Sequence, residues 1–177
     1  MVNLIILILL VIGFLIGLKR GFILQLLHLT SFVIAFIVAA MYYDSFASKL
    51  ELWIPYPDFP TDETWAVFLD SLPLETAFYN AIAFGVLFFV TKILLQIIAT
   101  MLDFVADLPI LNLINGWLGA ILGFVEVYLL IFVALYIIAL LPVPEVQAWI
   151  DQSGIAQFII NHTPVISDKL TDIWFES

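Results

Sequence analysis

Three ionisable side chains, His28, Lys92 and Glu126, stand inside long apolar runs of this 177-residue sequence. A charge at the centre of a bilayer costs about 2.5–3.5 kcal/mol on insertion scales, so each calls for a function, a partner or an escape to the headgroups. At about 1.5 Å per helical residue, His28 lies roughly 9 Å, Lys92 roughly 10–15 Å and Glu126 roughly 13 Å from the same ends of their segments. Gln25 and Gln96 fall near that level, and the five define one candidate polar layer. The favoured reading of the layer is structural. In it Lys92 snorkels to the headgroups, Glu126 is a neutral acid bonded to a neighbour, and His28 bonds helix backbone or Ser31. An ion pair between Lys92 and Glu126 that fixes the helices ranks second, and a proton or solute pathway third.

No conventional active-site pattern stands beside this layer in the sequence. Asp103 and Asp107 stand four apart on one helix turn, whereas the two acids of an aspartyl dyad converge from separate elements to share a proton. No G-x-G-D surrounds either, and a solvated helix-end pair is the better reading. Ser31 with His28 lacks a third orienting group and an oxyanion site. No G-x-S-x-G or phosphate loop is present. With no cysteine there are no disulfides, thiolate ligands or cysteine nucleophiles, and neither His28 nor His162 opens an H-E-x-x-H motif. No metal, no cofactor and no enzymatic activity are expected.

The elements that must position these residues follow from composition. The sequence is 64% hydrophobic and 11% charged, against about 45–50% and about 25% for soluble domains. The bilayer is therefore its main solvent. Four apolar stretches, 2–18, 22–43, 77–102 and 117–141, are each long enough or nearly so for the roughly 20 helical residues that cross about 30 Å of hydrocarbon. The expected architecture is all-α: a single polytopic membrane domain over 1–177 with four transmembrane helices.

The first stretch has no basic n-region and no small-residue cleavage site, so it reads as a retained helix. Residues 1–43 form a helical hairpin with Lys19, Arg20 and Gly21 at its tight turn. Lysine and arginine in short connections mark the cytoplasmic side, which places both termini outside. The segment 44–76 then lies outside with Lys49 against seven acids. Five scattered bases and a net charge of −10 give no face for nucleic acid, and an acidic exterior does not attract anionic lipid.

The outer loop 44–76 and the tail 142–177 carry short amphipathic helices. Pro55, Pro57 and Pro60 exclude helix from 54–60. Beyond them, Thr61 caps a segment with Trp65, Phe68, Leu69 and Leu72 on one face. Another short helix runs near Pro144–Ile150 and groups Val146, Trp149 and Ile150. Thr163-Pro164 then reads as a cap before Ile166, Leu170, Ile173 and Trp174. Packing of these acidic helices on one another or on a partner is favoured over free lipid binding.

Gly13, Gly17 and Gly21 recur at four-residue spacing, and Gly119 and Gly123 form a second G-x-x-x-G. Such stripes let helix backbones approach closely in lipid. Packing within the four helices is favoured over a dimer contact. Asn115, at the start of the fourth span, reads as its N-terminal cap rather than a ligand-binding group.

A first span ending Gly17-Leu18-Lys19-Arg20-Gly21-Phe22, two later spans, and Asn115-x-x-x-Gly119-x-x-x-Gly123 opening the fourth resemble the colicin V production protein (CvpA) family over essentially the whole chain. The resemblance implies a four-span bacterial inner-membrane protein linked to production or export of a peptide toxin, with no established biochemical activity. Some relatives place an extracytoplasmic serine protease after a similar membrane domain. The short acidic tail here has no counterpart to it, so no protease function is carried over. Family members often have a basic or small residue where Glu126 stands.

Together these point to a non-enzymatic membrane accessory or scaffold, with a role in toxin production or export or in envelope maintenance. Its expected partners are the lipid bilayer, other membrane or envelope proteins and, as a homo-oligomer, itself. The alternative is a subunit of a small channel or transporter that uses the layer of His28, Lys92 and Glu126. A membrane enzyme ranks third.

Overall fold

Backbone polar groups within hydrocarbon must be bonded inside their own segment, so an apolar run free of proline is driven into helix. The computed structural model describes residues 2–56, 74–102, 113–139 and 144–163. Its helices are α1 (Val2–Arg20), α2 (Phe22–Leu50), α3 (Leu74–Leu102), α4 (Leu113–Ala139), α5 (Pro144–Asp151) and α6 (Gly154–Asn161). The first four are long and apolar enough to cross a membrane, and the chain is a multi-pass membrane protein. None of these four contains a proline, and Pro144 opens α5, where its missing N–H leaves no bond unmade.

Two boundaries differ from those expected. The second helix runs about two turns past Tyr43, because 44–50 has no helix breaker; Ser48 Oγ donates to the Asp44 carbonyl at 3.1 Å. The fourth begins at Leu113 rather than Trp117. The amphipathic segments around Trp65 and Trp174 and the aspartates at 103 and 107 lie outside the described residues.

Gly21 alone separates α1 from α2, with φ +82°, a conformation that L side chains rarely adopt. The two helices nevertheless share few contacts, so residues 1–43 are not a packed hairpin. Instead α4 lies between them, running along α1 on one side and α2 on the other, and α2 packs in turn along α3. The order across the molecule is α1–α4–α2–α3, with the two flanking helices held apart.

Each seam has its own chemistry. Between α2 and α3, buried Ala35, Ala39, Ala77 and Ala81 bring the helices close, while aromatic rings fill the space beside them. Phe32 meets Phe88 edge-on at 5.2 Å and Phe36 meets Phe84 at 5.3 Å, the arrangement favoured by the ring quadrupoles. The outer faces carry exposed leucine, isoleucine and valine, as lipid solvation requires.

The tail is part of this core. Ile150 of α5 and Ala156 and Ile159 of α6 are buried in the same cluster as Ile6 and Phe132. Trp149, expected on the same face as Ile150, points away and is exposed. Helix α6 was not anticipated. Ser153 is its N-cap, with Oγ accepting from the Ala156 N–H at 3.1 Å and donating to Asn3 Oδ1 at 2.5 Å. Asn3 Oδ1 also accepts from the Ile155 N–H at 3.3 Å, which ties α6 to the start of α1.

Candidate functional site

The polar residues of the spans converge on one buried cluster between α2, α3 and α4. Lys92 and Glu126 are each only 6% exposed. The Lys92 Nζ donates to Glu126 Oε1 at 2.5 Å, Ser31 Oγ at 2.8 Å and the His28 carbonyl at 2.9 Å, and Gln96 Oε1 stands at 3.3 Å. Ser31 Oγ in turn donates to the His28 carbonyl at 2.6 Å. The second carboxylate oxygen of Glu126 accepts from Gln25 Nε2. An ammonium has three N–H donors, and here each has an acceptor.

This arrangement departs from snorkelling. Lys92 turns inward because the acceptors that satisfy its charge lie across the helix seam, one α2 turn apart at His28 and Ser31. His28 enters through its main-chain carbonyl, and Ser31 bonds that carbonyl rather than the imidazole. Sequence reasoning put these residues at one level; it did not orient Lys92.

Chemically the cluster is closed. A serine hydroxyl beside a lysine amine is a pairing that some hydrolases use, but the base there needs a free lone pair. Lys92 has a carboxylate partner and three occupied donors, and Ser31 gives its proton to a carbonyl. Among the described residues no three histidines, aspartates or glutamates gather where they could hold a metal ion. At the other end of the α2–α3 seam, Tyr79 donates to the Ile54 carbonyl at 2.8 Å. Burial, with Glu75 and Tyr79 adding to it, raises the Tyr56 phenol above its ordinary range.

The glycines sit where α1 crosses α4. A Cβ on Gly17 would collide with the Gly119 carbonyl, one on Gly119 with the Gly17 carbonyl, and one on Gly123 with the Gly13 carbonyl. A Cβ on Gly13 would meet Val127, and one on Gly21 would fall 2.5 Å from Asn115 Nδ2. Most of the obstructing atoms are backbone, so they cannot move aside as a side chain would.

Asn115 does not cap α4. That helix starts two residues earlier, and the Asn115 Oδ1 accepts from the Phe22 N–H at 3.1 Å, at the first turn of α2. Gly21, the N-cap of α2, has no side chain to do this, so the cap comes from α4. Lys19 is exposed and Arg20 half-buried at the same end.

Residues 2–164 match the colicin V production protein family. The chain is also 51% identical over 174 residues to YshB of Bacillus subtilis (strain 168), an uncharacterized transmembrane protein, covering 98% of this chain and 97% of the relative. No solved structure matches it.

Proposed function

Because the chain belongs to the colicin V production protein family, we propose that it is a non-enzymatic accessory or scaffold protein of the bacterial inner membrane, with both termini extracytoplasmic. The observation that carries this reading is the closed bonding of Lys92 with Glu126, Ser31 and the His28 carbonyl. A charge pair buried in hydrocarbon and satisfied on all sides holds helices in register. It leaves the surfaces as the working part. Lys19 and Arg20 at the α1–α2 turn support the orientation through the bias of basic residues toward the cytoplasm. The family's description supports a role in production or export of a peptide toxin, and maintenance of the envelope fits the same docking chemistry.

The surfaces concerned are at the outer end, where Trp53 is 85% exposed and Trp149 59% exposed. Photo-crosslinkers placed at these two positions in living cells test the reading. Capture of one defined membrane or envelope protein from either position supports it. Self-crosslinks alone, together with solute flux through liposomes carrying the purified chain, overturn it in favour of transport.

A further inference from the structure

Because α1 and α3 are held apart, they leave a groove of about 400 Å³ floored by α2 and α4. Its apolar lining comes from Ile16 of α1, Phe89 and Ile93 of α3, and Val127 and Leu130 of α4. Its polar lining comes from Arg20, Gln25, Gln96 and the closed pair Lys92–Glu126. A helix is about 10–12 Å across and needs far more room. The volume falls instead in the roughly 300–1,000 Å³ of small-ligand clefts.

Charge and bonding narrow the occupant. Lys92 and Glu126 neutralise each other in the floor. The guanidinium of Arg20, half-buried at the end of α1, has no hydrogen bond or ion pair among the described residues. Gln25 is 1% exposed, and its amide oxygen has no hydrogen-bond partner among the described residues. Among the described residues the groove therefore offers an apolar slot within the spanning segments, one cation without an ion-pair partner at its mouth, and one buried acceptor in need of a donor.

We propose that this groove binds a single anionic glycerophospholipid bearing free hydroxyls, of the phosphatidylglycerol type. One acyl chain lies along Ile16, Phe89, Ile93 and Leu130, the phosphate pairs with Arg20, and a hydroxyl donates to Gln25 Oε1. A guanidinium suits a phosphate because its planar fork donates two parallel N–H bonds. The proposal stands apart from the accessory reading, since a lipid in this slot requires no protein partner.

The test uses the full chain, delipidated in nonionic detergent and titrated with phosphatidylglycerol, phosphatidylcholine or glycerol phosphate, with bound lipid counted by native mass spectrometry. One phosphatidylglycerol should be retained about fivefold more strongly than phosphatidylcholine, the preference one arginine near the headgroups supplies. Arg20→Gln should abolish that preference and Arg20→Lys keep most of it. Ile93 is 58% exposed on the groove wall, so Ile93→Trp should fill the slot and lower retention of both lipids without changing the melting temperature. Equal retention of the two lipids by the wild-type chain overturns the proposal. So does wild-type retention by both Arg20→Gln and Ile93→Trp, or displacement of the lipid by glycerol phosphate, which would make the site a simple phosphate pocket.

Discussion

Lys92 on α3 and Glu126 on α4 lie 2.5 Å apart and join two helices that otherwise share few contacts. Helix α2 passes between them in the packing order and supplies the remaining acceptors through Ser31 and the His28 carbonyl. Removing either charge leaves the other buried and unmatched, which costs about 3–5 kcal/mol. Lys92→Met and Glu126→Gln should each lower unfolding stability in mixed micelles by that order. The double substitution should recover much of the loss. Wild-type stability of both single variants would remove the tie between α3 and α4.

At the α1–α4 crossing, an added methyl group meets backbone rather than a movable side chain. Gly119→Ala should force the helices apart and cost about 1–3 kcal/mol, the range for overpacked sites. Gly154 has nothing within 4 Å of where its Cβ would lie. Gly154→Ala in α6 should therefore be neutral or gain about 0.5–1 kcal/mol. The contrast between the two, read by thermal melting, separates close packing from a general sensitivity of glycines.

The cap of α2 is supplied across the fold by Asn115. Asn115→Ala should cost about 0.5–2 kcal/mol, as caps usually do. Asn115→Asp should preserve the cap, because it keeps the acceptor and adds a negative charge at a helix N-terminus. Hydrogen exchange at the Phe22 amide reports it directly: faster in the alanine variant, unchanged in the aspartate variant. Equal protection in wild type and Asn115→Ala would show that the amide has another partner.

The tether between Asn3 and Ser153 holds α6 against α1. Ser153→Ala removes the cap and the Ser153–Asn3 bond while the Ile155 N–H bond to Asn3 stays; because the cap is lost with it, exchange throughout α6 should rise more than in Asn3→Ala. The two substitutions should be non-additive, because they share one hydrogen bond. Simple additivity in a double-mutant cycle would show that the contact contributes nothing.

With no native cysteine in the sequence, single cysteines report orientation without background. A membrane-impermeant maleimide added to intact cells should label Ser48→Cys, beyond the outer end of the second span's apolar run. It should label Lys19→Cys only after lysis. The reverse pattern would invert the orientation proposed above.

Much of this molecule was legible along the chain. Each span declares itself by the length of an uncharged run, since transfer into lipid sums residue by residue with little regard to neighbours. The level of His28, Lys92 and Glu126 followed from helical rise, and the glycine faces of α1 and α4 from four-residue spacing. Helix α6 has its own local signal in Ser153, Ala156 and Ile159, a cap and an inward stripe. Asn3, the one polar side chain of α1 before Lys19, marks its partner.

The sequence by itself determined that four helices cross the membrane, where the polar groups sit in depth, and which faces can approach closely. Only the tertiary structure decided that α4 separates α1 from α2, that Lys92 turns inward to Glu126 instead of reaching for the headgroups, and that Asn115 caps a helix other than its own. The reason is physical. Insertion depends on the summed polarity of one segment, whereas packing depends on which side chains and carbonyls face one another across a seam. A lysine at a given depth has two ways to satisfy its charge. The choice belongs to the acceptors that the neighbouring helices place within about 3 Å.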